Sequence, residues 1–84
     1  MDDYIITFRS VTPAQRGEGL LRQAGYHCSL QRTPKWMEAQ GCGYSLRLRG
    51  ERTGEAIRLL KERKIPFRKI YRTGQNGKTE EINL

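Results

Sequence analysis

Apolar residues in this chain fall in short clusters whose period changes along the sequence. Tyr4-Ile5-Ile6-Thr7-Phe8 is a β-branched and aromatic run of strand length and reads as a buried strand. After Ser10-Val11-Thr12-Pro13 the spacing becomes helical, with Ala14, Gly17, Leu20, Leu21 and Ala24 on one face. Thr12 is a suitable N-cap, Pro13 suits the first helical position, and Gly25 suits a left-handed helix end. Gly17 lies on the apolar stripe, which points to close packing there. From His27 to Arg32 the pattern alternates, with Cys28 and Leu30 against His27, Ser29 and Gln31. Tyr44, Leu46 and Leu48 alternate more clearly with Ser45, Arg47 and Arg49. A second amphipathic helix is expected from Gly50–Thr53 onward, with Ala56, Ile57, Leu59 and Leu60 inward, ending at Lys64-Ile65-Pro66. Phe67 to Arg72 reads as the last strand, with ambiguous faces because Phe67, Ile70 and Tyr71 break strict alternation.

The expected order is therefore β-α-β-β-α-β. Leu20-Leu21-Arg22 and Leu59-Leu60-Lys61 each lead through a turn into a strand, a faint internal echo. Two βαβ halves joined by a hairpin describe an α+β, ferredoxin-like split sandwich. Its antiparallel sheet should run 4-1-3-2, with both helices on one face and Ser29, Gln31, Arg47 and Arg49 on the other. One domain is expected over residues 1–73, followed by a polar C-terminal tail, 74–84, after the turn Gly74-Gln75-Asn76-Gly77.

Composition narrows the function classes. With 84 residues there is room for one small core. No apolar run reaches membrane-span length, and Met1-Asp2-Asp3 is unlike the start of a secretory leader, so no membrane and a cytoplasmic location are expected. Two cysteines and one histidine are too few for a disulfide framework or a zinc site, so neither metal nor cofactor is expected. The net charge is +7, but residues 1–26 are balanced, residues 27–73 carry +8 and the tail is slightly acidic. That concentration implies an anionic partner, either an acidic protein surface or nucleic acid, although a solvated surface is the simpler reading.

Candidate chemistry centres on Gly41-Cys42-Gly43, at the end of the segment Thr33–Gly43 that joins the second and third strands. A thiol between glycines has an open backbone and no bulky neighbour, as sulfur exchange with another protein requires. The competing reading is a small buried cysteine in a turn whose glycines supply positive φ. In the expected topology the third strand starts beside the end of the first, where helix 1 begins. Cys42 would then lie near Thr12 and the helix N-terminus, with Arg9, Arg32 and Lys35 flanking it, surroundings that lower a thiol's pKa. Trp36 is either loop packing or an exposed anchor for a partner. An RNA-binding module is the alternative, with Arg47 and Arg49 on the open face. The third strand, however, lacks the paired aromatics on which such sheets stack bases.

Tyr4–Phe8, the Leu20-Leu21 helix ending in Gly25, Arg32-Thr33-Pro34, Gly41-Cys42-Gly43-Tyr44-Ser45-Leu46-Arg47 and Ile70-Tyr71-Arg72 together resemble the small selenium/sulfur carrier-like proteins, over about residues 4–72. Thr-Pro followed by Cys-Gly is the most specific element. The resemblance implies a cytoplasmic carrier and not an enzyme. Cys42 would hold sulfur or selenium as a persulfide or selenosulfide. It would accept the atom from a donor such as a cysteine desulfurase and pass it to an acceptor protein; the candidates for meeting partners, Trp36, Arg47 and Arg49, come from the residues' own reading and not from the resemblance. The chain departs from the family where Trp36, Met37 and Glu38 replace small polar residues, and Cys28 has no family counterpart.

Overall fold

The computed structural model describes residues 3–33, 43–49, 52–74 and 79–82. In chain order the elements are β1 (Asp3–Thr7), α1 (Val11–Gln23), β2 (Cys28–Arg32), β3 (Tyr44–Arg49), α2 (Thr53–Glu62), β4 (Ile70–Thr73) and β5 (Thr79–Ile82). The sheet order is β2-β3-β1-β4-β5, and every neighbouring pair is antiparallel. The expected order 4-1-3-2 is present within it, so this is an α+β sandwich of the ferredoxin-like split type with one strand added at the β4 edge. The expectation of a tail after residue 73 is corrected here. Thr79–Ile82 pairs along the whole of β4, from Thr73 opposite Thr79 to Ile70 opposite Ile82. Thr79 and Ile82 are half-buried, while Glu80 and Glu81 are exposed and ion-pair with Arg72 and Lys69. A short edge strand held by charge pairs has little apolar content, so its sequence reads as polar chain.

Both helices pack on the sheet face formed by Tyr4, Ile6, Leu46, Leu48 and Ile70, and Phe8 joins the same core. Ala14 and Leu21 come from α1, Ala56, Ile57 and Leu60 from α2. Gly17 has the reason its stripe position suggested: a Cβ there would lie 3.2 Å from Leu46 Cδ1 and 3.3 Å from Leu60 Cδ2.

The helix ends position the rest. α1 starts one residue before Thr12, with Ser10 as N-cap and no side-chain capping bond. Thr12 is thus an exposed first-turn residue and not the cap. Pro13 still falls in the first turn, where its missing N–H has no intrahelical partner. α1 ends in a Schellman motif: Tyr26 N–H donates to Leu21 O at 2.9 Å, Gly25 N–H donates to Arg22 O at 3.1 Å, and Gly25 has φ +91°. α2 repeats it, with Ile65 N–H to Leu60 O at 3.0 Å and Lys64 N–H to Lys61 O at 3.1 Å. The left-handed position there is held by Lys64, φ +57°.

The β4 faces, ambiguous in sequence, are settled by register. Ile70 points into the core, whereas Tyr71 stands opposite Ile5 on the open face and forms a small cluster with it. At the β2 edge, Leu30 N–H donates to Glu18 Oε2 at 2.9 Å, so α1 covers part of the strand's outward backbone.

Candidate functional site

Lys35, Trp36, Gly41 and Cys42 lie outside the described residues. The structure does describe where their segment enters and leaves. Arg32 stands opposite Tyr44 at the end of β2, and Thr33 N–H then donates to Gly43 O at 2.8 Å, extending the hairpin ladder by one step. Gly43 is buried and has φ +84°, a left-handed conformation that an L side chain rarely adopts. Ser45 stands opposite Thr7, so β3 begins beside the end of β1 and the start of α1, as the topology required. Arg9 and Thr12 occupy that junction and are exposed.

Arg32 and Arg9 therefore share the Gly43 end of the sheet. Arg32 is exposed and stacks over the Tyr44 ring at 5.5 Å. α2 also ends there, placing exposed Arg63 and Lys64 at this end, and Arg68 N–H donates to Thr7 O at 2.7 Å.

Arg47 and Arg49 are not part of this group. Both point to the open face near the opposite end, where β3 pairs with the start of β1. Arg47 Nε donates to Asp3 Oδ2 at 3.1 Å with a second, shorter contact from Nη2, and Arg49 Nε lies 3.8 Å from Asp3 Oδ1. The two arginines thus share one carboxylate and border a cavity of about 600 Å³ that also touches Arg22, His27 and Cys28. The open face does carry an aromatic, which the ambiguity of β4 hid. Tyr71 is only 9% exposed, too little to offer its ring to a base.

Cys28 is a free, half-buried thiol at that far end. Its Sγ lies 3.8 Å from Glu18 O. Burial raises its pKa, the Glu18 carboxylate adds to the rise, and Arg22 opposes it. Cys28 is thus held as a thiol, and the hairpin separates it from Gly43 by five residue steps of about 3.3 Å each.

Sequence reasoning missed two neighbours of Gly43. Ser45 is fully buried and Thr33 is 8% exposed, and neither Ser45 Oγ nor Thr33 Oγ1 has a hydrogen-bond partner. Alternation along β2 and β3 puts both on the open face. Gln31 stands opposite Ser45, so Thr33 and Ser45 are diagonal neighbours. A buried hydroxyl without a partner leaves no trace in a sequence pattern. Among the described residues no three His, Cys, Asp or Glu side chains are placed to hold a metal ion, and no helix is long and apolar enough to cross a membrane.

A family model described as "Putative Se/S carrier protein-like" matches residues 3–72. No curated protein and no solved structure matches the chain.

Proposed function

The chain belongs to the Se/S carrier protein-like family, and on that premise we propose that Cys42 is the residue on which it carries sulfur or selenium between partner proteins. The observation that supports this most is the placement of Gly43. The residue that follows Cys42 in the chain sits at the end of the sheet where β1 ends and α1 begins, the end that the exposed Arg9 and Arg32 share. A helix N-terminus and nearby cations favour the thiolate, the form that performs sulfur exchange.

In the proposed step the Cys42 thiolate attacks the outer sulfur of a persulfide on a donor protein, such as a cysteine desulfurase. A new S–S bond forms at Cys42, the donor's S–S bond breaks, and its electron pair leaves on the donor's thiolate. The carried sulfur keeps its oxidation level, so no cofactor, oxidant or metal is needed. An acceptor nucleophile then attacks the carried atom, and the Cys42 thiolate is the leaving group. The protein is a protein-borne substrate and not a catalyst. Arg9, Arg32 and Lys35 would favour the thiolate and meet an acidic partner surface, with Trp36 as an anchor in the same segment as Cys42.

Mass spectrometry of intact protein purified without reductant tests this. A mass gain of one sulfur or selenium atom, mapped to Cys42, abolished by Cys42→Ser and released by a thiol reductant, is the expected result. A Cys42→Ser protein that loads as fully as the parent sinks the assignment.

A further inference from the structure

Charge is unevenly placed around the cavity beside β2. Arg47 and Arg49 are successive outward residues of β3, and Arg22 reaches the same corner from α1, its Nε donating to Cys28 O at 3.4 Å. All three arginines border the cavity, about 600 Å³ in volume, and among the described residues no carboxylate lines it. Two carboxylates touch these guanidiniums from outside the lining. Asp3 is shared by Arg47 and Arg49, while Glu18 lies 3.6 Å from Arg22 and also accepts from Leu30 N–H. Three cations against two carboxylates leave a positive excess. The loosest contact is that of Arg49, at 3.8 Å with its side chain 74% exposed. Cations side by side repel, and a concave surface of one sign focuses the field on whatever enters it.

The lining narrows the ligand. Its permanently charged residues are all arginine, whose planar fork of N–H groups matches the paired oxygens of a phosphate. Ser29 and Gln31 add neutral donors from the same face of β2. The volume lies within the range of about 300–1,000 Å³ usual for ligand clefts and exceeds what a single phosphate fills. The tyrosine of the lining is not open to a nucleobase: Tyr26 stacks under Arg52 at 4.6 Å and its hydroxyl donates to Glu55. We infer that this cavity binds a pyrophosphate group, free or carried on a larger molecule, with Arg47 and Arg49 gripping it and Arg22 completing the cationic rim. The site lies toward the end of the sheet away from Gly43 and does not depend on the carrier reading. Binding exchanges the Asp3 carboxylate for the ligand's oxygens on the same guanidiniums, and no covalent bond changes.

Isothermal titration calorimetry of the full chain with inorganic pyrophosphate at physiological salt tests this, with circular dichroism to confirm that each variant is folded. Saturable one-to-one binding is expected. Arg47→Gln and Arg49→Gln should each weaken it about tenfold, the loss expected for a hydrogen bond to a charged group. Asp3→Asn should tighten it several-fold, because the competing carboxylate is gone. Arg58→Gln removes the same charge from the exposed face of α2 and should leave binding unchanged. An equal loss in Arg58→Gln shows attraction to net charge alone and overturns the site, as does the absence of saturable binding. ADP separates the two sources of the group: binding tighter than that of pyrophosphate means that the group is taken on a nucleotide, and equal or weaker binding means that the phosphates alone are held. A single-stranded RNA that binds more tightly than either, and loses affinity with the same two arginine substitutions, overturns the small-ligand assignment in favour of nucleic acid.

Discussion

Gly17 and Gly19 lie two residues apart in α1, yet the structure assigns them opposite responses to alanine. In a helix interior, Gly→Ala favours folding by about 1 kcal/mol. A Cβ at Gly19 meets nothing within 4 Å, so Gly19→Ala should keep all of that gain. At Gly17 the new methyl meets Leu46 Cδ1 at 3.2 Å, Leu60 Cδ2 at 3.3 Å and Phe8 Cζ at 3.6 Å. All three side chains are fully buried and come from the sheet, from α2 and from the end of β1, so none recedes without disturbing another. Overpacking of this kind costs about 1–3 kcal/mol. The propensity gain is common to both variants, so the difference between them isolates the packing cost. Gly19→Ala should raise the melting temperature by about 4–8 °C, the shift expected per kcal/mol for a domain of this size. Gly17→Ala should match the parent or fall below it. Urea and thermal unfolding followed by circular dichroism measure both. If Gly17→Ala stabilises as much as Gly19→Ala, α1 does not close against Leu46 and Leu60 as described.

Cys28 should react with iodoacetamide at neutral pH more slowly than a free cysteine, because burial and Glu18 raise its pKa. Its folded pKa lies above the unfolded one, so the associated stability is fully present below the unfolded pKa and is lost as pH rises through the folded pKa. Unfolding curves from pH 7 to 10 should therefore show a decline that Cys28→Ala removes, and an equal decline in both proteins would rule out this source. Lys64→Gly should stabilise the fold by about 0.5–1 kcal/mol in urea titrations, the left-handed strain of a side chain at φ +57° less the extra chain entropy of glycine. A loss of stability would show that the Lys64 side chain contributes more than its backbone costs.

Most of the fold was legible because its core elements obey their own periods. Ile6 with Phe8, Leu46 with Leu48, and Ala56-Ile57-Leu60 each repeat at the spacing of the element they form. β5 was not legible, since Thr79-Glu80-Glu81-Ile82 owes its strand state to β4 and to ion pairs across the ladder. Of the site, the Arg9, Arg32 and Gly43 grouping followed from topology alone. The roles of Arg47 and Arg49 did not, because two arginines alternating with leucines say only that they face away from the core. That both turn to Asp3 depends on the register of β1 against β3, which brings residues 3 and 49 together.

The two helix ends show how the fold divides its labour. Both close with the same Schellman geometry, from Leu21 to Tyr26 and from Leu60 to Ile65, so the echo of Leu20-Leu21 in Leu59-Leu60 is a repeated capping device as well as a sequence pattern. One copy uses Gly25, the residue with least strain there. It ends at the sheet edge where Cys28 is held as a thiol and where Arg47 and Arg49 share the Asp3 carboxylate. The other copy tolerates a strained Lys64 and ends with Arg63 at the edge where Gly43 turns and Ser45 and Thr33 lack partners. The backbone strain at Lys64 and the unpartnered Ser45 and Thr33 hydroxyls each cost stability, and both fall at the same end of one small sheet. On the carrier reading proposed above, such costs are expected at the working end of the sheet, and the Gly43 end is the one that the cysteine segment joins.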